Sequence, residues 1–233
     1  MNAQAFALSL RLAAVTTAIL LALGMPLAYW IAFARWRGKF LVEAVVALPL
    51  VLPPTVLGFY VLVAIGARSP VGQAWQRWTG HPLAFSFAGL VIGSVLYSLP
   101  FCVQPMAAGF GAVDRKLLAA SSMLGAGRWR TFARVTLPLA RGAVITGAAL
   151  TFAHTLGEFG VVLMVGGNIP GVTRTVSIAI YDDVQAFDYA SANLTALVLL
   201  AISFAVLALV YGLNRRATSI AAGARGWTPW PQS

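Results

Sequence analysis

Apolar residues gather into five long blocks, at 6–34, 41–67, 82–110, 138–165 and 192–213, with most charged positions in the stretches between them. A helix needs roughly 20 apolar residues to cross a bilayer core, so each block predicts one membrane-spanning helix. The first block is too long for the h-region of a cleaved leader and has no small-residue cleavage site after it, so it is expected to stay as a span. Pro49, Pro53 and Pro54 interrupt the second block, and Pro100 and Pro105 the third. Such prolines have two readings. Neighbouring helices can satisfy the freed backbone groups, or the helix breaks and lines a cavity at membrane depth.

One stretch fits neither a span nor a slack linker. Residues 113–141 read VDRKLLAASSMLGAGRWRTFARVTLPLAR. Asp114 suits a helix N-cap. Leu117, Leu118, Ala120, Ser121 and Leu124 fall near helical spacing and predict one short amphipathic face. Gly125 suits a left-handed stop, and Gly127 adds a second flexible point. A second short helix is expected next, with Trp129 and Phe132 on one side and Arg128, Arg130 and Arg134 toward headgroups or solvent. Pro138 would sit in the first turn of the fourth span. The stretch reads as a helix–Gly–helix elbow over 113–138.

Composition supports a membrane protein and excludes most soluble classes. The 233 residues are 60% hydrophobic and 9% charged, where soluble domains carry about 25% charged residues. The net charge of +10 does not indicate nucleic acid, because the basic residues flank apolar spans. Twelve of the 16 Lys and Arg residues fall in one alternating set of segments, at 35–39, 115–141 and 215–225. Arg11, Arg68, Arg77 and Arg174 make up the other set. The positive-inside rule then places the N-terminus outside and the C-terminus in the cytoplasm, which agrees with an odd number of spans. The elbow becomes cytoplasmic. The segment 166–191, with Asp182, Asp183 and Asp188, becomes external. The single cysteine, Cys102, excludes an internal disulfide. One transmembrane domain over 1–216 is expected, followed by a loosely ordered cytoplasmic tail at 217–233. No cofactor or metal site is expected.

The spacing Ala119-Ala120-Ser121-x3-Gly125-x9-Val135-x-Leu137-Pro138 resembles the EAA loop of ABC importer permeases, EAA-x3-G-x9-I-x-L-P. Ala119 stands where that family usually has Glu, Ser121 replaces Ala and Val135 replaces Ile. The stretches at 48–63 and 154–181, with the five-span plan, are similar to the molybdate permeases within that family, of which sulfate and tungstate permeases are close relatives. The resemblance covers roughly residues 5–215. It implies an all-α type I ABC importer permease fold in which the elbow is a coupling helix docked on a separate ATPase subunit. The contact would fall to Leu117, Leu118, Ala119, Ala120, Ser121, Leu124, Gly125, Ala126 and Arg128. It also implies a permease homodimer, two copies of the ATPase and a periplasmic oxyanion-binding protein, received by outer loops near 68–81 and 166–191.

Candidate chemistry concentrates in the fourth block. Thr151, His154 and Glu158, spaced i, i+3 and i+7, would share a helical face with Thr155 beside it. An intramembrane charge is costly and marks a functional candidate. Glu158, some twenty residues into the span, is expected near the outer interface as a structural group held by Arg11, Arg174 or a helix N-terminus. A carboxylate there would repel an oxyanion. His154 reads either as a neutral, hydrogen-bonded packing residue or as pore lining. Thr55, Tyr97 and Ser98 flank the prolines and, with Thr151, His154 and Thr155, are candidates for the translocation path. Small polar residues can equally serve as packing faces. Two other classes fare worse. An intramembrane enzyme lacks a third metal ligand or a nucleophile motif, and a stand-alone channel or secondary transporter has no need of the elbow. The chain is not itself the ATPase, since it has no G-x-x-x-x-G-K-[ST].

Overall fold

A computed structural model describes residues 2–223, with side chains through residue 212. The described residues fold as helices without strands. In order they are α1 (Ala3–Phe33), α2 (Lys39–Val51), α3 (Pro54–Ile65), α4 (Pro70–Thr79), α5 (Phe87–Gly111), α6 (Arg115–Met123) and α7 (Arg128–Thr131). A π-helical turn follows (Phe132–Thr136), then α8 (Leu137–Leu139), α9 (Arg141–Gly157), α10 (Gly160–Gly166), α11 (Val176–Gln185) and α12 (Tyr189–Gly223). Among the described residues, α1, α5 and α12 are long and apolar enough to cross a membrane. The bent pairs α2–α3 and α7–α9 add two more if each is one span.

Three helices make the core. Leu20, Ala28 and Ile31 of α1 meet Cys102, Val103, Met106 and Phe110 of α5, and Ala140 closes the cluster just before α9. Lipid tails are as apolar as leucine, so association here rests on close packing rather than on escape from water. Two glycines allow it. A side chain at Gly109 would collide with Ala143 on α9, and one at Gly147 would come within 2.9 Å of the Cys102 carbonyl. These contacts run α5 antiparallel to α9. Tyr29 stacks edge-on to Phe110 and Leu20 accepts from the Cys102 thiol, so α1 and α5 run the same way.

The broken pair α2–α3 follows the whole length of α5. Val46 of α2 packs with Phe110 and Val113 at the C-terminal end of α5. Ile65 of α3 packs with Leu83 and Ala84 just before its N-terminal end. Between them the axis turns by 113°. Both Leu52 and Pro53 precede a proline and are therefore pushed out of the helical region. Both are indeed extended, with ψ 136° and 135°.

The fourth apolar block departs from the expected single helix at both ends. Ala140 breaks the backbone at φ −94°, ψ 8°, and the axis bends by 74° there. Pro138 thus belongs to α8 on the elbow side, and the span begins at Arg141. A second break follows at Glu158, whose ψ is 139°, before α10 starts at Gly160. The third block keeps both prolines inside one continuous helix. The segment after residue 175 forms α11, whose buried face (Val176, Ile178, Ala179) packs on the bundle. Val176 N–H donates to Ser9 Oγ of α1 at 2.9 Å. At the C-terminus α12 continues helically through Gly223 into the segment expected to be a loose tail. The rest of that tail lies outside the described residues.

Candidate functional site

Two places carry polar or uncovered groups that packing alone does not require. The first is the elbow. Asp114 Oδ1 accepts from Lys116 N–H at 2.8 Å and caps α6. Gly125 ends it in the left-handed conformation, φ 76°. Gly125 N–H donates to the Ser122 carbonyl and Ala126 N–H to the Ser121 carbonyl, the paired bonds of a Schellman stop. Gly127 is different from expectation. Its φ of −66° and ψ of 163° suit any residue, so no glycine is needed there.

The expected amphipathic face of α6 divides. Leu118 turns inward with Phe132 onto the core, and Ser121 hydrogen-bonds Thr131 of α7 at 2.9 Å. Leu117, Ala119, Ala120 and Arg128 are exposed. Leu124 is 87% and Met123 88% exposed. The elbow is thus tied to the bundle by one seam and offers a mixed apolar and basic surface outward. Beside Ala119, Arg35 and Arg115 face a cleft of ≈ 250 Å³. Neither arginine has a carboxylate partner among the described residues, where the ion pairs are Lys39–Glu43 and Arg174–Asp182.

The second place is where the two helix breaks meet. A Cβ at Gly58 would stand 2.8 Å from Met164 Cβ, and one at Gly160 would run against Pro54. The half-helices α3 and α10 therefore pack backbone to backbone. They enclose a cleft of ≈ 380 Å³ lined by Thr55, Tyr97, His154 and Glu158, with Pro54, Leu163 and Met164 among its apolar walls. The His154 ring stacks on Phe101 at 3.9 Å and tilts against Tyr97 at 4.8 Å. Its Nε2 has no hydrogen-bond partner among the described residues.

Ser98, Thr151 and Thr155 are not among the residues that line this cleft. All three are buried, at 2% exposure or less. Ser98 and Thr155 hydrogen-bond each other at 2.9 Å, and Thr151 donates to the Gly147 carbonyl at 2.7 Å. They form a polar seam between α5 and α9. Glu158 sits at its end, 4% exposed, accepting from Ser94 Oγ at 2.9 Å. Its other oxygen makes no hydrogen bond of good geometry, though the backbone N–H of Val162, in the first turn of α10, faces the carboxylate, as the expected helix N-terminus would. Neither expected arginine holds it. Arg11 lies over the Phe87 ring, and Arg174 pairs with Asn168 and Asp182. Because the helix breaks at Glu158, the predicted face shared with Thr151 and His154 does not extend to it. Ser94, Pro54 and Gly160 were missed as site residues. The i, i+4, i+8 spacing of Ser94, Ser98 and Cys102 was the available signal for the seam.

An all-helical chain with broken membrane helices and an exposed elbow between α5 and α9 has the plan of an importer's membrane component. The chain matches the family described as "Binding-protein-dependent transport system inner membrane component" over residues 24–219, and it belongs to that family. It is 53% identical over 211 residues, 91% of this chain and 93% of the relative, to the molybdenum transport system permease protein ModB of Azotobacter vinelandii. It is 40% identical to the protein of the same name from Escherichia coli K12, covering 78% of this chain and 80% of that one. A probable sulfate transport system permease protein cysT from Chlorokybus atmophyticus is 31% identical, covering 82% of this chain and 65% of that one. Among solved structures, a bacterial ABC transporter that imports alginate aligns with TM-score 0.72 and 16% identity, over 91% of this chain and 78% of that one. That likeness shows the fold.

Proposed function

We propose that this chain is the membrane-spanning, non-catalytic permease subunit of an ATP-driven importer that carries molybdate, or the near-isosteric tungstate, across the inner membrane. The observation that carries the reading is 53% identity, over nine-tenths of both chains, to a molybdenum transport permease. Sulfate is the second reading, favoured by a more distant relative of which the chain spans 65%.

In this reading the chain crosses five times, N-terminus out, and two copies form one pathway. Two ATPase subunits each receive an elbow, and a periplasmic binding protein delivers the oxyanion. The elbow's construction supports the coupling role. The Ser121–Thr131 hydrogen bond holds α6 to α7, and the packing of Leu118 and Phe132 on the core would pass a rigid-body movement of α6 into the bundle, while Leu117, Ala120 and Leu124 supply an uncovered contact surface. Thr55, Tyr97 and His154 line the cleft with polar groups and no fixed cation, and Glu158, also in its lining, is only 4% exposed and turned to Ser94. A dianion would be held weakly there and could leave, as transport requires.

The test is uptake of labelled molybdate in cells lacking their own transporter, supplied with this chain, its ATPase and its binding protein. Uptake that needs this chain and resists excess sulfate supports the reading. Uptake abolished by sulfate moves the chain to the sulfate branch. For the elbow, Gly125→Val forces a β-branched residue into positive φ, at a cost of about 1–2 kcal/mol, with no steric contact to confuse the result. ATP hydrolysis should uncouple from uptake while insertion persists. Unchanged uptake would remove Gly125 from the coupling argument.

A further inference from the structure

A second large opening lies away from the cleft. A groove of ≈ 880 Å³ runs along α1 to the elbow. One face of α1, from Ala18 through Leu21, Ala22 and Met25 to Tyr29, forms its floor. These positions repeat at three and four residues, as one helical stripe must. Eleven helical rises from Ala18 to Tyr29 give it a length of about 17 Å, close to one leaflet of a core about 30 Å thick. Phe132 closes the elbow end, stacked edge-on to Tyr29 at 5.1 Å.

The mouth has a different character. Arg128 and Trp129 stand there. Trp129 is 83% exposed, and Arg128 has no ion pair among the described residues. Arg130 and Arg134 follow, both exposed. No acidic residue lines the groove, and among the described residues Asp114 caps α6 and Glu43 pairs with Lys39 rather than with Arg128. An apolar channel one leaflet deep, opening at an indole and a free guanidinium, has the charge and shape complement of a lipid with a negative headgroup.

We propose that this groove is a binding site for one anionic phospholipid, an acyl chain lying on α1 and the phosphate against Arg128. Arg128 then serves the bilayer as well as the ATPase contact, and the site would fix the elbow's height at the membrane surface. The lipid readout needs no transport, so its failure is distinct from failure of the uptake test.

The experiment is native mass spectrometry of the full chain released from detergent with phosphatidylglycerol or phosphatidylcholine. One phosphatidylglycerol should be retained per chain, about tenfold better than phosphatidylcholine, a difference of about 1.4 kcal/mol. Ala22→Trp, which fills the groove, should remove that retained lipid. Arg128→Gln should lower phosphatidylglycerol to the level of phosphatidylcholine. Should Ala22→Trp fail to fold, Ala18→Phe blocks the other end and is held to the same outcome. Equal retention of both lipids by the unmodified chain, or undiminished phosphatidylglycerol in the filled variant, overturns the proposal. So does a high yield of disulfide-linked dimer from Ala22→Cys, which would assign the groove to a second copy.

Discussion

Two proline-bearing membrane segments of this chain behave in opposite ways. Helix α5 carries Pro100 and Pro105 and runs unbroken for 25 residues. The segment holding Pro49, Pro53 and Pro54 turns by 113°. Count does not explain the difference, since Pro49 also sits quietly inside α2. Adjacency does. A lone proline removes one backbone donor and crowds one carbonyl, a cost that α1, α2, α9 and α10, all packed on α5, can help to absorb. The pair Pro53–Pro54 puts two successive residues before a proline, and both become extended. Pro54 then opens α3 as the first helical residue, where its missing N–H costs nothing. Proline position within the pattern decides whether the residue is tolerated or makes a cleft.

The largest effect should come from erasing the pair. With Pro53→Leu and Pro54→Leu together, α2 and α3 can join into one helix. That swings α3 off α10 and opens the contact of Gly58 and Gly160 with their partners. Misplacement of a positioning element by an ångström can cost about a hundredfold in rate, and we expect a loss of that order in molybdate uptake with insertion preserved. Membrane fractionation checks the second point. Uptake within twofold of the parent would mean that the cleft does not depend on this break.

The opposite wall of the cleft gives the next test. Glu158→Gln keeps an acceptor for Ser94 Oγ but places two N–H donors where the neighbouring oxygen already makes no hydrogen bond of good geometry. An unsatisfied buried polar group costs about 1–3 kcal/mol. Folded yield should therefore fall more than the preference for molybdate over sulfate changes, measured by chromatography and competition uptake. Unchanged yield with altered preference would move Glu158 from scaffold to path.

How much of this was legible beforehand depends on where each signal resides. Asp114 and Gly125 announced the limits of α6 because caps and left-handed stops are local chemistry. The first and third spans were legible because hydropathy needs only length. The break at Glu158 was not. No proline marks it, and averaging over 138–165 hides one extended residue between Gly157 and Gly160. The facing of small polar residues was hidden too. Thr55 and Thr155 look alike in sequence, yet one lines the cleft and the other is buried against Ser98. Only the packing of α5 on α9 separates them, and that is a non-local fact.

A smaller effect is expected inside α5. Pro100→Ala restores an N–H that can bond the Leu96 carbonyl without adding bulk at a buried site. A helix already continuous should stay so. Uptake should change by less than about twofold, the size of a substitution outside any special feature. A tenfold loss would show that Pro100 shapes α5 after all, and the contrast with Pro53–Pro54 would become one of degree.

The smallest prediction compares two ways of starting a helix. Helix α3 begins at a proline with no side-chain cap, which protons cannot alter. Helix α12 begins at Tyr189, capped by Asp188, whose Oδ1 accepts from Ser191 N–H at 3.1 Å. The Ser191 side chain, and then its backbone N–H, hold this carboxyl below the ordinary Asp value of 3.8. A folded value depressed in this way contributes stability that is complete above the unfolded value and is lost as pH falls through the folded one. The cap is therefore intact at neutral pH and fails only in acid. Asp188→Ala should speed amide exchange at residues 191 and 192 at pH 7, while the same comparison made in acid should show little difference. Asp188→Asn, a good cap without a titrating proton, should remain slow at both. If the alanine variant exchanged no faster at pH 7, packing of α12 on α9 and α11 would be setting that helix's start and the carboxylate would be incidental.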